Sequence, residues 1–152
     1  MCEQLKKLKE ALAVKEGEDP PSVAIMMHTN PDPDCIGAAK GLEKILKTWN
    51  PNTTVTLIYD GEISHPQNKT MVKVLNVSMV HREEVGNREE DLKEIADHFI
   101  AVDVMPERCD MDGVKCLMVI DHHPTLKEHN KKFTIIKSFD IQNTNKGTKS
   151  KI

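Results

Sequence analysis

The stretch that decides the fold is residues 22–34, SVAIMMHTNPDPD, in which a short apolar run ends in histidine and acidic residues. Two later stretches repeat this pattern: residues 99–103, FIAVD, and residues 116–123, CLMVIDHH. Each apolar run has the length and the branched side chains of a buried strand, and polar residues stand at or just beyond its C-terminal end. Because ligands bind at this edge of an open α/β sheet, we expect the polar residues of all three stretches to converge.

The residues expected to converge are carboxylates and imidazoles. They are His28, Asp32, Asp34, Asp103, Asp121, His122 and His123. Hard carboxylate oxygens combined with a few imidazoles suit Mn²⁺ or Mg²⁺ better than a structural zinc ion. The pattern therefore predicts a two-metal phosphoryl-transfer site, in which a carboxylate such as Asp103 bridges two divalent ions.

Two of the three motifs also allow a purely structural interpretation. An aspartate in the loop after the first strand can cap the following helix, and Asp103 can be a turn residue. The run Asp121-His122-His123 favours the metal site more strongly. Three titratable groups after an apolar strand repel one another and lose hydration unless a cation is present.

The loop after the second predicted strand holds a further set of candidates. Residues 61–68 read GEISHPQN, and within them His65 and Asn68 are candidate substrate contacts. The alternative is a solvated turn whose last polar residues begin a helix.

Length and composition set the broad class. At 152 residues we expect the chain to form one domain, 1–152, large enough to bury roughly 70% of its unfolded surface. A formal net charge of −3 and only 3% aromatic residues argue against a basic groove for long nucleic acids and against a base-stacking platform. The four cysteines form no CxxC pair, so neither a thiol redox motif nor a zinc ribbon is predicted. The chain has no apolar signal core and no membrane-length apolar segment, which predicts a cytoplasmic protein without a membrane partner.

Strands alternate with helical segments along the chain, and this order is typical of the α/β class. We predict a five-stranded, mostly parallel sheet with helices on both faces. The predicted helices lie at about 3–15, 35–49, 71–75 and 90–96. The predicted strands lie at about 23–27, 54–59, 77–80, 99–103, 116–121 and 133–136.

The segment His28-Thr-Asn-Pro-Asp-Pro-Asp-Cys-Ile-Gly-Ala-Ala, followed by Asp103 and by Asp121-His122-His123, resembles motifs one to three of the DHH phosphoesterase superfamily. That family includes RecJ-like exonucleases, oligoribonucleases, cyclic-dinucleotide phosphodiesterases and exopolyphosphatases. Residues 61–75, GEISHPQNKTMVKVL, resemble the loop and helix after strand two in oligoribonuclease-like members. The resemblance extends from about residue 22 to the C-terminus and implies a Rossmann-like DHH domain.

The resemblance also implies two Mn²⁺ ions, with Mg²⁺ as the alternative. It assigns one ion to His28, Asp32 and Asp103. It assigns the second ion to Asp34, Asp103, His122 and a later aspartate, for which Asp140 is the candidate. His123 would contact the phosphate or transfer a proton, and Asp121 is the second candidate catalytic residue. The implied activity is hydrolysis of a phosphodiester or phosphomonoester of a short oligonucleotide, a nucleotide or another phosphorylated small molecule.

Members of this family usually continue into a DHH-associated domain with a glycine- and histidine-rich substrate-binding motif, whereas this sequence ends near the fourth motif. We therefore expect weak turnover by the chain alone, or a separate substrate-binding domain or chain as its partner. Two other functions remain open. One is a non-catalytic metal- or nucleotide-binding module that needs a partner domain, and the other is a hydrolase similar to pyrophosphatases or exopolyphosphatases.

Overall fold

The computed structural model describes residues 3–86, 88–109, 111–122 and 135–137. The helices are α1 (Glu3–Ala11), α2 (Pro33–Trp49), α3 (Pro66–Val74) and α4 (Glu89–Ile95), and two short 3₁₀ turns lie at Arg82–Val85 and Pro106–Arg108. The strands are β1 (Val23–Thr29), β2 (Val55–Asp60), β3 (Val80–His81), β4 (His98–Val102), β5 (Lys115–Asp121) and β6 (Ile135–Lys137).

The strands form one sheet in the order β3-β2-β1-β4-β5-β6, and every pairing is parallel. The predicted α/β class and parallel sheet are therefore confirmed. Five strands are three residues or longer, as expected, and the two-residue β3 extends one edge.

Helices cover both faces of the sheet because the side chains of each strand alternate between the faces. In β1, Val23 and Ile25 pack into a core that includes Ile36 of α2. Ala24 of the same strand packs into a second core, on the other face, that includes Leu92 of α4. Burying β1 on both faces explains why its sequence is a continuous apolar run rather than an alternating one.

The first three helices differ from the prediction at their ends, and α3 begins several residues earlier than predicted. α1 ends at Ala11 rather than near residue 15. α2 begins at Pro33 because the Asp32 side chain accepts a hydrogen bond from the backbone N–H of Cys35 at 2.8 Å. An aspartate N-cap followed by proline is a favourable helix start, since proline lacks the N–H that would remain unpaired there.

The third strand was expected at 77–80 and lies at Val80–His81. The reason is that the chain is still turning off α3 at the predicted position. The backbone N–H of Val77 donates to the carbonyl of Val72 at 2.9 Å, and Asn76 between them has a φ of 48°. A left-handed residue with this hydrogen bond closes a helix end and prevents an extended strand from starting there.

The strand order reverses between β1 and β4. From β1 the chain adds β2 and β3 on one side, then returns to place β4 on the other side. In sheets of this order the crevice at the carboxyl ends of the two central strands is the usual ligand position. His28, near the end of β1, and Asp103, directly after β4, lie at this crevice.

In the described part of the chain, no helix is both long and apolar enough to cross a membrane.

Candidate metal centre

Asp103 occupies the centre of the crevice and has an unusual backbone. Its φ is 57°, in the left-handed region that non-glycine residues rarely adopt. Its backbone N–H donates to the carbonyl of Ile120 at 2.8 Å, which fixes the residue against β5. Such backbone strain is found disproportionately at functional sites, where the surrounding structure holds it.

Two histidines face the Asp103 carboxylate, one on each oxygen. His28 Nε2 lies 3.6 Å from Oδ2, and His122 Nε2 lies 3.1 Å from Oδ1. The carboxylate is largely shielded from solvent, with 14% of its side chain exposed, whereas 64% of the His122 side chain is exposed. His28 lies in β1 and His122 directly follows β5, as expected of convergence at a sheet edge.

The orientation of the His28 ring is set by the backbone of the next residue. His28 Nδ1 donates to the carbonyl of Thr29 at 2.8 Å, so in the neutral ring Nε2 carries the lone pair. That lone pair faces a carboxylate oxygen at a distance too long for a hydrogen bond. A histidine that donates one nitrogen to a carbonyl and presents the other is the usual arrangement of a metal ligand.

The potential ligand atoms form two groups that share Asp103. The atoms of Asp103, Asp121 and His122 lie within 4.8 Å of one another, and so do those of His28, Cys35 and Asp103. Asp121 is buried at 4% exposure. Carboxylate and imidazole groups this close together fit a divalent cation, which would offset the repulsion between the carboxylates. The shared carboxylate lies where a bridging ligand between two ions would be needed.

Asp32 and Asp34, the other two predicted ligands of the first motif, lie at the start of α2. Asp32 is the N-cap and uses Oδ1 for the Cys35 N–H, while Asp34 is exposed in the first turn. Among the described residues, the two close groups of ligand atoms do not include them. Their roles as ligands stay predictions.

The loop and helix after β2 contact the first motif through Asn68. Its side-chain Nδ2 donates to the carbonyl of Pro31 at 3.3 Å, and the residue is buried. His65, directly before α3, is exposed and makes no side-chain capping bond. Both remain predicted substrate contacts, and Asn68 in addition holds the motif-one loop in place. The predicted sites at His123 and Asp140 lie outside the described residues.

Two features of the site were missed by the sequence analysis. One is Cys35, buried at the first turn of α2, whose thiol faces the Val102 carbonyl at 3.5 Å. The pKa of this thiol is raised to about 12, mainly by burial; a hydrogen bond from the His28 backbone lowers it, and the carboxylates of Asp103 and Asp32 add to the rise. Its position three residues after Asp32, inside the first motif, was the available signal.

The other missed feature is the link between Asn30 and residues 61–62. The Asn30 side-chain Oδ1 accepts from the backbone N–H of Glu62 at 2.6 Å. Gly61 has a φ of 70°, and a side chain there would collide with the Asn30 carboxamide. Glycine is therefore needed at 61 both for the turn and for the close approach of the two loops.

The model of the DHH family, N-terminal domain, matches residues 22–148. The chain belongs to the DHH family. This confirms the resemblance drawn from the motifs, and it assigns the chain to a superfamily of phosphoesterases. The chain is also 25% identical over 122 residues to an uncharacterized protein of Methanocaldococcus jannaschii. That match covers 80% of this chain and 23% of the relative, so the chain spans less than a quarter of that protein's length.

Proposed function

We propose that this domain is a metal-dependent phosphoesterase that uses two Mn²⁺ ions, or Mg²⁺ in their place, to hydrolyse a phosphodiester or phosphomonoester. The observation that supports it most directly is the Asp103 carboxylate, whose two oxygens each face an imidazole nitrogen, at 3.6 and 3.1 Å. One shielded carboxylate between two donor groups is the arrangement that a pair of divalent ions requires. Membership of the DHH family supports the same chemistry.

In this proposal His28, Asp32 and Asp103 hold one ion. The second ion is held by Asp103 and His122 together with Asp34 and Asp140. Ions held by these residues would lower the pKa of a bound water and would offset negative charge on a phosphoryl group.

Backbone groups around the centre hold three of the proposed ligand residues in a fixed orientation. The Thr29 carbonyl fixes the His28 ring, and the Ile120 carbonyl fixes the backbone of Asp103. The Cys35 N–H fixes one oxygen of Asp32. Ligands held in this way need little reorganisation when the site is filled, which preserves both affinity and alignment. Asp121 and His123 are the residues we propose for proton transfer and phosphate contact.

The substrate class we propose is a short oligonucleotide or a nucleotide. A net charge of −3 does not favour retention of long nucleic acids. An open cleft of about 580 Å³ lies near the carboxyl end of β2; its lining includes Glu62, Lys69 and Lys73 and none of the predicted metal ligands that the structure describes. Its volume is in the range of small-molecule sites, and the two lysines would attract phosphate groups.

The test is a panel of phosphorylated compounds incubated with the protein and Mn²⁺: short RNA, a cyclic dinucleotide, adenosine bisphosphate and pyrophosphate. We expect Mn²⁺-dependent release of product from at least one nucleotide, loss of it in Asp103→Asn, and retention in the matched surface variant Asp112→Asn. Hydrolysis of pyrophosphate alone would contradict the nucleotide assignment. Stoichiometric Mn²⁺ binding without hydrolysis of any compound, in protein at single-turnover concentration, would contradict the enzyme assignment and favour a non-catalytic metal-binding module.

A further inference from the structure

The His28 half of the centre contains a donor that Mn²⁺ does not favour. Cys35 is 1% exposed, and its Sγ belongs to the group of ligand atoms, with His28 and Asp103, that lie within 4.8 Å of one another. Thiolate is a soft ligand and contributes to zinc and cobalt sites, whereas Mn²⁺ prefers oxygen. The proposed two-manganese chemistry has no role for this sulfur.

We infer that His28, Cys35 and Asp103 form a mixed nitrogen, sulfur and oxygen site for a borderline cation of the Zn²⁺ class, which competes with Mn²⁺ for this half of the centre. The inference rests on the proposed metal centre, because two of the three ligands are shared with it. Three protein ligands that leave one position open are typical of catalytic rather than structural zinc sites.

The separation of the donors supports this assignment. Around one tetrahedral zinc ion, nitrogen and oxygen ligands lie about 3.4 Å apart, and nitrogen and sulfur about 3.6 Å apart. His28 Nε2 and Asp103 Oδ2 lie 3.6 Å apart, too far for a hydrogen bond and close to the separation that one ion imposes. The sulfur lies within 4.8 Å of a ring nitrogen of His28 and of a carboxylate oxygen of Asp103, so a shift of its side chain would complete the set.

The surroundings of the Cys35 thiol limit which reagents can reach it. The Cys35 Sγ has a weak contact with the Val102 carbonyl at 3.5 Å and is shielded from solvent. Burial protects it from bulky thiol reagents, while a small ion that reaches His28 and Asp103 also reaches the sulfur. Binding of the ion would release the thiol proton to water, and the sulfur would then bind as a thiolate.

The test is substitution with Co²⁺ in the full chain, read by absorption spectroscopy. A cobalt–thiolate bond gives a charge-transfer band in the near ultraviolet that oxygen and nitrogen ligands do not produce. We expect this band in the wild type and in a variant whose other three cysteines, Cys2, Cys109 and Cys116, are serine. We expect no band in Cys35→Ser, and Zn²⁺ affinity lower by about tenfold or more in that variant, with Mn²⁺ affinity nearly unchanged.

Different failures have different meanings. A wild-type protein that binds Mn²⁺, detected by electron paramagnetic resonance, but shows no thiolate band with Co²⁺ would overturn this inference and leave the proposed function standing. A protein that binds neither ion would contradict both. A band that persists in Cys35→Ser would also overturn the inference, because another cysteine would then be the ligand. If Cys35→Ser does not fold, as judged by circular dichroism, the variant with Cys35 alone decides the assignment.

Discussion

The loop between β1 and α2 and the loop between β2 and α3 both leave the carboxyl edge of the sheet, and both lead into a helix that begins at a proline. In the first loop, residues 30–32, Asp32 caps a helix of 17 residues whose inner face is buried. In the second loop, residues 61–65, the residue before the helix is His65, which makes no capping bond. The helix that follows has nine residues, and at its end Val74 and Leu75 are 73% and 54% exposed.

The difference shows how one side chain, Asp32, can both cap a helix and remain available to bind a metal ion. A carboxylate at a helix N-terminus satisfies backbone N–H groups with one oxygen and leaves the other available. An imidazole in the same position, as at His65, leaves the backbone groups to other partners. The first loop is therefore expected to respond to metal, whereas the second loop is expected to respond mainly to the loss of its contacts with the first.

The largest expected effect is stabilisation by Mn²⁺. At free Mn²⁺ about 100-fold above the dissociation constant, binding to the native state adds about 2.7 kcal/mol to the free energy of unfolding. For a domain of this size that raises the melting temperature by about 5–10 °C. We expect the rise in wild type and in Asp112→Asn, and its loss in Asp103→Asn or with a chelator.

Hydrogen exchange in the same samples locates the effect. We expect Mn²⁺ to slow exchange at the N–H of Cys35, which bonds to Asp32, and to leave the N–H of Lys69, which bonds to the His65 carbonyl, unchanged. Equal protection of the two loops would remove the contrast drawn between them.

The next largest effect is expected at Asn68, which joins the two loops. Asn68→Ala removes the donor to the Pro31 carbonyl and opens a small space at a buried position, so we expect a loss of about 1–3 kcal/mol. The exposed neighbour Gln67→Ala is the matched control, with a change below about 0.5 kcal/mol. Urea denaturation of both variants measures the difference. If Asn68→Ala and Gln67→Ala unfold at the same urea concentration, the contact with Pro31 does not stabilise the loops.

Asp32 separates the two uses of one carboxylate. Asp32→Ala is expected to cost about 1 kcal/mol through loss of the cap, whereas Asp32→Asn keeps a capping side chain of similar quality. Both variants should bind Mn²⁺ more weakly, by about tenfold or more, because the charge is lost in each. His65→Ala is the control and should change stability by less than about 0.5 kcal/mol. Calorimetric titration that finds wild-type Mn²⁺ affinity in Asp32→Asn would limit Asp32 to capping.

The smallest effect is expected at the opposite edge of the sheet and depends on pH. Asp97 accepts hydrogen bonds from the backbone N–H and hydroxyl of Ser22, both at 2.8 Å, and these bonds lower the pKa of its carboxyl. A lowered folded-state pKa stabilises the protein above the unfolded pKa, about 3.9, and this stabilisation is lost as the pH falls through the folded value.

Because Asp97 is exposed, Ser22→Ala should reduce stability at pH 7 by at most about 0.5 kcal/mol and reduce the pH dependence below pH 4. Denaturant titrations of the two proteins between pH 2 and pH 7 measure it. The response to Mn²⁺ should be the same in both, and a reduced response in Ser22→Ala would mean that the two edges of the sheet are coupled.

Much of this fold could be predicted from apolar runs. The strands that end near His28, Asp103 and Asp121 were found because buried parallel strands are continuously apolar and are followed by polar residues. The third strand was displaced because the hydrogen bond from Val77 to the end of α3 depends on geometry that composition does not reveal.

The contacts within the candidate site were harder to predict from the sequence than the strands. Asp103 and Cys35 are 68 positions apart, and only the packing of α2 against β4 brings a thiol to that carboxylate. A cysteine without a CxxC partner gave only a weak signal, its place inside the first motif three residues after Asp32. Asn68 was expected either to contact a substrate or to begin a helix, and only the structure revealed its bond to the Pro31 carbonyl.

The left-handed backbone of Asp103 also limits which residues this position can accept, independently of chemistry. Glutamate would preserve the charge, yet its side chain tolerates a φ of 57° poorly, at a cost of roughly 1–2 kcal/mol. Asparagine and glycine fit the backbone and lack the charge. The position is therefore restricted twice, by conformation to a few small residues and by charge to one of them. In a library of all amino acids at residue 103, asparagine and glycine should be among the most stable variants, and metal binding should require aspartate.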